Sequence, residues 1–202
     1  MPRNGTDLKP RILAEARRIL LEDGYTALST RRVAGEVGCT AAAIYHYFEN
    51  KDALLHALID EGFELLHTRL EAVPRDEGHL RGLCAAYVDF SNANPEFYEV
   101  MFHLHPTQME RYPVERYRAQ RDYLALLGDA IIASRQESAP SPESALRAAT
   151  LVWSTLHGAI SLRQAMRIDK SLRGPDLLDD AIRLAMRAVE ISPLPSQPGI
   201  SS

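Results

Sequence analysis

Cysteine is nearly missing from this chain. Its 202 residues include two, Cys39 and Cys84, one in a predicted turn and one in a predicted helix, which argues against a disulfide framework. Long apolar runs are missing too. No stretch approaches the roughly 18 uncharged residues of a membrane helix, and the charged N-terminus has no apolar core behind it, so neither a membrane span nor a signal peptide is expected. A cytoplasmic protein with no membrane partner follows. Catalytic apparatus is equally scarce: no Ser-His-Asp pattern, phosphate-binding glycine loop or paired carboxylate stands out, so neither an enzyme nor a cofactor is expected. His103, His105 and His157 lack the carboxylate or cysteine at helical spacing that would complete a zinc set, and no metal site is predicted.

Positive charge is in deficit, with 23 Lys and Arg against 27 Asp and Glu. The deficit is uneven. Residues 1–51 hold 8 basic and 6 acidic side chains, a balance of +2, while residues 52–202 hold 15 and 21, a balance of −6. An acidic remainder repels phosphate, so any nucleic-acid contact is confined to the N-terminal face and weakens with salt. With 46% hydrophobic and 25% charged residues, the rest is ordinary globular material, enough for a small domain and a larger one.

What the sequence does have is a pair of short helices between Ser29 and Lys51. Ser29 is suited to cap the first, and Val33, Ala34 and Val37 form its apolar stripe. Gly38 offers the left-handed turn, and Thr40 can cap the second helix two residues later. There Ile44 and Phe48 share one face while Ala42 and His46 lie opposite, flanked by Ala43 and Tyr45. A face of alanines, tyrosines and a histidine has no folding reason to meet solvent, whereas a helix entering a DNA groove uses one. Alanines permit close approach and touch thymine methyls; tyrosine hydroxyls and Lys51 reach phosphates.

Leu28-Ser29-Thr30-Arg31-Arg32-Val33-Ala34, Gly38-Cys39-Thr40, Ile44-Tyr45-His46-Tyr47-Phe48 and Asn50-Lys51-x-x-Leu54 together resemble the DNA-binding signature of the TetR family of bacterial repressors. The resemblance covers about the first quarter of the chain. It implies an all-α fold: an N-terminal three-helix helix-turn-helix domain (1–50) and a helical ligand-binding and dimerisation domain (51–191); apolar spacing gives about nine helices in all, and 192–202, with three prolines, reads as a disordered tail. The resemblance also implies that Arg31, Ala41 and Ala42 face bases, while Thr30, Ala43, Tyr45, Tyr47 and Lys51 meet the backbone. With Thr40 and His46 on the same face, the expected DNA-contact set is Thr30, Arg31, Thr40, Ala41, Ala42, Ala43, Tyr45, His46, Tyr47 and Lys51. Three consecutive alanines leave the reading helix short of donors, so specificity leans on Arg31, methyl contacts and DNA shape.

Along the rest of the chain, apolar spacing predicts a first helix over about 9–22 with Ile12, Leu13, Ala16, Ile19 and Leu20 inward, ended by Gly24, with Tyr25 and Leu28 packed beneath the motif. A long helix from Lys51 to about Ala72, capped by Asn50, would carry a movement about 33 Å from the DNA side. Gly62 within it allows either a bend or close packing. Helices follow over about 79–92, from Pro95, over 114–136, over 142–168 with Leu146, Ala149, Thr150, Trp153, Leu156 and Ile160 on one stripe, and over 175–191. Six Phe or Tyr residues between Tyr87 and Tyr112 either fill a core or line a cavity. Trp153-x-x-x-His157-Gly158 and Asn94-Pro95-x-Phe97-Tyr98-x-x-Met101-Phe102 resemble a C-terminal ligand-binding subtype within the TetR family. From these, Tyr87, Phe97, Met101, Trp153 and His157 are the expected ligand contacts, His157 being equally readable as a satisfied core histidine.

The function expected is a DNA-binding regulator, a repressor released from a palindromic, double-stranded operator by a small, largely apolar effector, and a homodimer through its two C-terminal helices. The alternative is a helical enzyme or protein-interaction adaptor whose N-terminal motif does not bind DNA.

Overall fold

A computed structural model of the chain describes residues 8–102, 118–135 and 140–191. Among the described residues there are nine α-helices and no strand. The described residues divide into two compact units, 8–65 with 94–102, and 66–93 with 118–135 and 140–191.

The first unit is built on α1 (Leu8–Asp23), which buries Ile12, Ala16, Ile19 and Leu20. Gly24, at φ 79°, ends it, and Leu28 seats the following turn in the core. α2 (Thr30–Val37) starts where Ser29 accepts the Arg32 N–H. It stops at Gly38, φ 75°, where the Cys39 N–H returns to the Ala34 carbonyl at 2.9 Å. That is the six-to-one bond of a left-handed helix terminus, a conformation glycine adopts without side-chain strain. Thr40 then accepts the Ala43 N–H and starts α3 (Ala41–Tyr47). Asn50 Oδ1 accepts the Ala53 N–H at 2.8 Å and starts α4 (Lys51–Glu71).

Val33, Ala34, Val37, Ile44 and Phe48 close on α1 and on Leu54, Leu55, Leu58 and Ile59 of α4, all in one core. α6 (Pro95–Phe102) joins the same unit, and its Val100 lies in that core. Gly62 of α4 is a place of close packing. A Cβ added there would lie 2.5 Å from Met101 Sδ and 3.0 Å from Phe97 Cδ1. Tyr25's side chain lies outside the described residues.

The second unit comprises the end of α4, α5 (His79–Ala93), α7 (Arg118–Ala133), α8 (Pro142–Gln164) and α9 (Asp176–Ile191). Its core draws on Leu83, Tyr87 and Phe90 of α5, Leu127 and Ile131 of α7, and Leu178, Ile182 and Ala185 of α9. Val114 and Tyr117, expected at the start of α7, and the expected tail 192–202 lie outside the described residues.

Two expectations for α8 need correction. Its buried line is Ala145, Ala149, Val152, Leu156 and Ile160, with Leu146 at 49% exposure and Thr150 exposed. α8 has two apolar faces, and the alanine-bearing one packs inward, since small side chains let helices approach closely. The helix also ends at Gln164 rather than near Ile168. Met166 is left-handed at φ 54°, and Arg173 donates to the Met166 and Ile168 carbonyls at 3.0 and 2.6 Å, tying the turn down.

Cys84 is fully buried, and that burial pushes its thiol up to about 12 from 9.0. A thiol raised in the folded state favours folding fully below its unfolded value, and that contribution is lost as pH climbs from 9 toward 12. Native protein at pH 8 is therefore expected to react with maleimide once per chain, at half-buried Cys39, and twice after denaturation. Two equivalents taken up by the native chain would contradict this.

Candidate nucleic-acid interface and ligand site

The DNA-facing candidates all lie in the first unit. On α3, Ala42, Tyr45 and His46 are exposed, Ala41, Ala43 and Tyr47 half-buried, while Ile44 is fully buried. The helix thus anchors through Ile44, with Tyr47 beside it, and presents Ala42, Tyr45 and His46. Tyr47 packs against the core with its ring edge-on to His46, centroids 5.1 Å apart, so it is partly a structural residue. Lys51 is half-buried on the first turn of α4. Partial burial holds its ammonium below the ordinary lysine value, against the pull of Asp52. A phosphate at that helix end would favour the charged form again.

The arginines of α1 and α2 separate sharply. Arg11 donates to the Val37 carbonyl at 2.9 Å. Arg17 pairs with Glu61 at 3.4 Å, Arg18 pairs with Glu15, Glu22 and Glu36, and Arg32 pairs with Asp23 at 2.5 Å. These four hold the unit together. Arg31, exposed on the first turn of α2, has no carboxylate partner among the described residues. Thr30 lies beside it, and its Oγ1 donates to the Tyr45 hydroxyl at 3.1 Å. That cross-helix pair was not visible from spacing, because fifteen positions and a turn separate its members.

Three of the five expected ligand residues meet in the second unit. Trp153 Nε1 donates to the Tyr87 hydroxyl at 3.0 Å, and the same oxygen lies 3.2 Å from His157 Nδ1. An indole N–H can only donate, so the tyrosine oxygen accepts and its own proton can go to Nδ1. The ring proton of a neutral imidazole then sits on Nε2, 3.4 Å from Ser161 Oγ. Tyr87 is fully buried and stacks on Tyr123, centroids 4.9 Å apart and planes at 10°. Ser161 was legible as the i+4 neighbour of His157, whereas Tyr123, on another helix, was not.

Phe97 and Met101 are placed in the first unit, against Gly62. A separate open groove of about 820 Å³ in the second unit is lined by Arg75, His79, Asp129 and Ser134 among others, and by none of the five. His103, His105 and Tyr112 lie outside the described residues. Among the described residues no group of three His, Cys, Asp or Glu is placed to hold a metal, and no helix is long and apolar enough to cross a membrane.

A capped helix pair with an outward, small-residue second helix, joined to an all-helical unit, defines the class: a helix-turn-helix protein. Residues 12–58 match the family model for bacterial regulatory proteins of the tetR family, and residues 80–189, more than half of the chain, match the tetracyclin repressor-like C-terminal domain. The chain belongs to the TetR family.

The nucleoid occlusion factor SlmA of Pasteurella multocida is 33% identical over 78 residues, 37% of this chain and 39% of that protein. The HTH-type transcriptional repressor Rv1474c of Mycobacterium tuberculosis is 42% identical over 67 residues, 33% of this chain and 34% of that protein. The chain therefore spans 34–39% of the length of these curated relatives. Among solved structures, the regulatory protein SCO4313 superposes with a TM-score of 0.76 at 26% identity, over 93% of this chain and all of that one.

Proposed function

We propose that the protein is a cytoplasmic DNA-binding transcriptional regulator, a homodimeric repressor that a small, largely apolar effector releases from a palindromic operator. One observation carries the reading. In a unit whose other four described arginines are committed to carboxylates or a carbonyl, Arg31 is exposed on the first turn of α2 with no carboxylate partner among the described residues, next to Thr30, whose hydroxyl meets Tyr45 of α3. Arg31 is the direct reader of a base edge, with Ala41 and Ala42 against methyls, and Thr30, Ala43, Tyr45, Tyr47 and Lys51 along the backbone. Rv1474c, itself a repressor by name, supports repression as the mode.

The dimer forms through α8 and α9. Leu151 and Leu162, eleven positions and so three turns apart on one face of α8, are 57% and 50% exposed, and Leu184 on α9 is 61% exposed. Exposed leucines on two adjacent helices suit a four-helix seam. Effector bound near Tyr87, Trp153 and His157, with Phe97 and Met101 responding in the first unit, would shift the spacing of the two reading heads. α4 is the mechanical link. A coupling of about 1 to 3 kcal/mol suffices to lower operator affinity several-fold to a hundred-fold.

Selection of duplex DNA from a random pool tests the reading directly. A palindromic consensus bound with steep salt dependence is expected; an enzyme or adaptor with an idle N-terminal motif would select nothing. On the selected duplex, Arg31→Ala is expected to lose about 1 to 3 kcal/mol, with discrimination relaxed at one position per half-site. Uniform loss across all sequences would make Arg31 a phosphate contact instead.

A further inference from the structure

The hydroxyl pair on the exposed face of the head is more than two adjacent polar residues. Thr30 opens α2 and Tyr45 sits in the middle of α3, and the 3.1 Å bond between them crosses fifteen residues. It is not what keeps the two helices together. Buried Val33, Ala34, Val37 and Ile44 do that, with the Ser29 and Thr40 caps. Tyr45 is 55% exposed, and an exposed tyrosine must give up side-chain freedom before it can hold a ligand. The bond to Thr30 restricts that freedom before DNA arrives.

A threonine hydroxyl has one proton. In the free pair either hydroxyl can donate; once a phosphate oxygen takes the phenolic proton, the Thr30 proton goes to the phenolic oxygen, and an accepted hydrogen bond strengthens a hydroxyl as a donor. We infer that Thr30 is a positioning residue for Tyr45: it aims the phenol O–H at a DNA phosphate oxygen, and the two side chains act as one contact rather than two. The inference rests on the DNA-binding reading above and deepens it at a residue otherwise counted as a separate backbone contact.

A double-mutant cycle on the selected duplex decides it, with wild type, T30V, T30S, Y45F and T30V/Y45F compared under one salt condition and R31A as a control. Thr30→Val keeps the shape and removes the donor; it is expected to weaken binding by roughly threefold to tenfold, the cost of ordering one side chain. Thr30→Ser restores the donor and should bind within about twofold of wild type, a rescue that a purely structural methyl contact would not give. Y45F should weaken binding at least as much as T30V. The double variant should match Y45F, because Thr30 then has nothing to aim. Melting temperatures near wild type for all five variants confirm that each is folded.

If T30V costs the same factor in the Y45F background as in wild type, the two hydroxyls act independently and the inference is overturned. T30V binding like wild type overturns it equally. In both cases a weakened R31A shows that the DNA reading survives. If no duplex is selected, or R31A binds like wild type while Y45F does too, the DNA reading fails and takes this inference with it.

Discussion

Tyr87→Ala should lower stability by about 3 to 5 kcal/mol, and Tyr87→Phe by about 1 to 3 kcal/mol. The two values separate the ring from its hydroxyl. The alanine variant leaves a cavity where a fully buried ring stacked on Tyr123, and it also strips Trp153 Nε1 of its acceptor and His157 Nδ1 of its neighbour. Phenylalanine keeps the volume and the stacking, so only the hydrogen bonds are lost. For a chain of this length each kcal/mol shifts melting by roughly 2 to 4 °C, which puts the alanine variant about 10 °C below wild type. Trp153 is the one tryptophan in the sequence, so its fluorescence reports on this cluster alone. An emission spectrum and melting point unchanged in Tyr87→Phe would show that the hydroxyl bonds contribute nothing.

The contrast between the two units shows which features a sequence exposes. Ser29, Gly38, Thr40 and Asn50 were legible because each acts on backbone groups within five positions: a cap oxygen on an N–H, a left-handed turn on a carbonyl. Ile44, Phe48 and the α4 leucines were legible because one face of a helix repeats every 3.6 residues. The place of α6 was not. Its sequence, Pro95-Glu-Phe-Tyr-Glu-Val-Met-Phe, is apolar on several sides, and nothing local says that Val100 enters the head core while Phe97 and Met101 cover Gly62.

α8 failed in the same way. Leu146 and Ala145 lie on adjacent faces, and which turns inward depends on helices far off in the chain. The Thr30–Tyr45 bond and the Tyr87–Trp153–His157 cluster share this character. Trp153 and His157 were legible as a spacing, but their tyrosine, sixty-six and seventy positions away, stood out only as one of six aromatics between Tyr87 and Tyr112, with nothing local to join it to α8.

Gly62→Leu should cost about 3 kcal/mol or more, the upper end of what overpacking does, whereas Gly62→Ala should nearly break even. The difference follows from what each new atom meets. A Cβ would sit 2.5 Å from Met101 Sδ and 3.0 Å from both Met101 Cγ and Phe97 Cδ1. Methionine is unbranched and can swing its sulfur aside, and removing a mid-helix glycine returns about 1 kcal/mol of helix propensity. Those two effects offset each other for alanine.

Leucine needs more room than Met101 alone can give, and Phe97 can yield only the few tenths of an ångström that alanine asks of it. The Arg17 guanidinium lies over its ring, 4.9 Å from the centroid, and is itself paired with Glu61, the residue before Gly62. Combining Gly62→Leu with Met101→Ala should recover about half of the loss, as volume-conserving changes in a core do. A glycine retained for bending would behave otherwise: alanine would be as harmful as leucine, and Met101→Ala would rescue neither. Chemical denaturation of the four variants distinguishes the cases. Because Val100 of α6 lies in the head core, displacing α6 strains the helix-turn-helix itself, so affinity for the selected duplex should fall in Gly62→Leu and stay near wild type in Gly62→Ala.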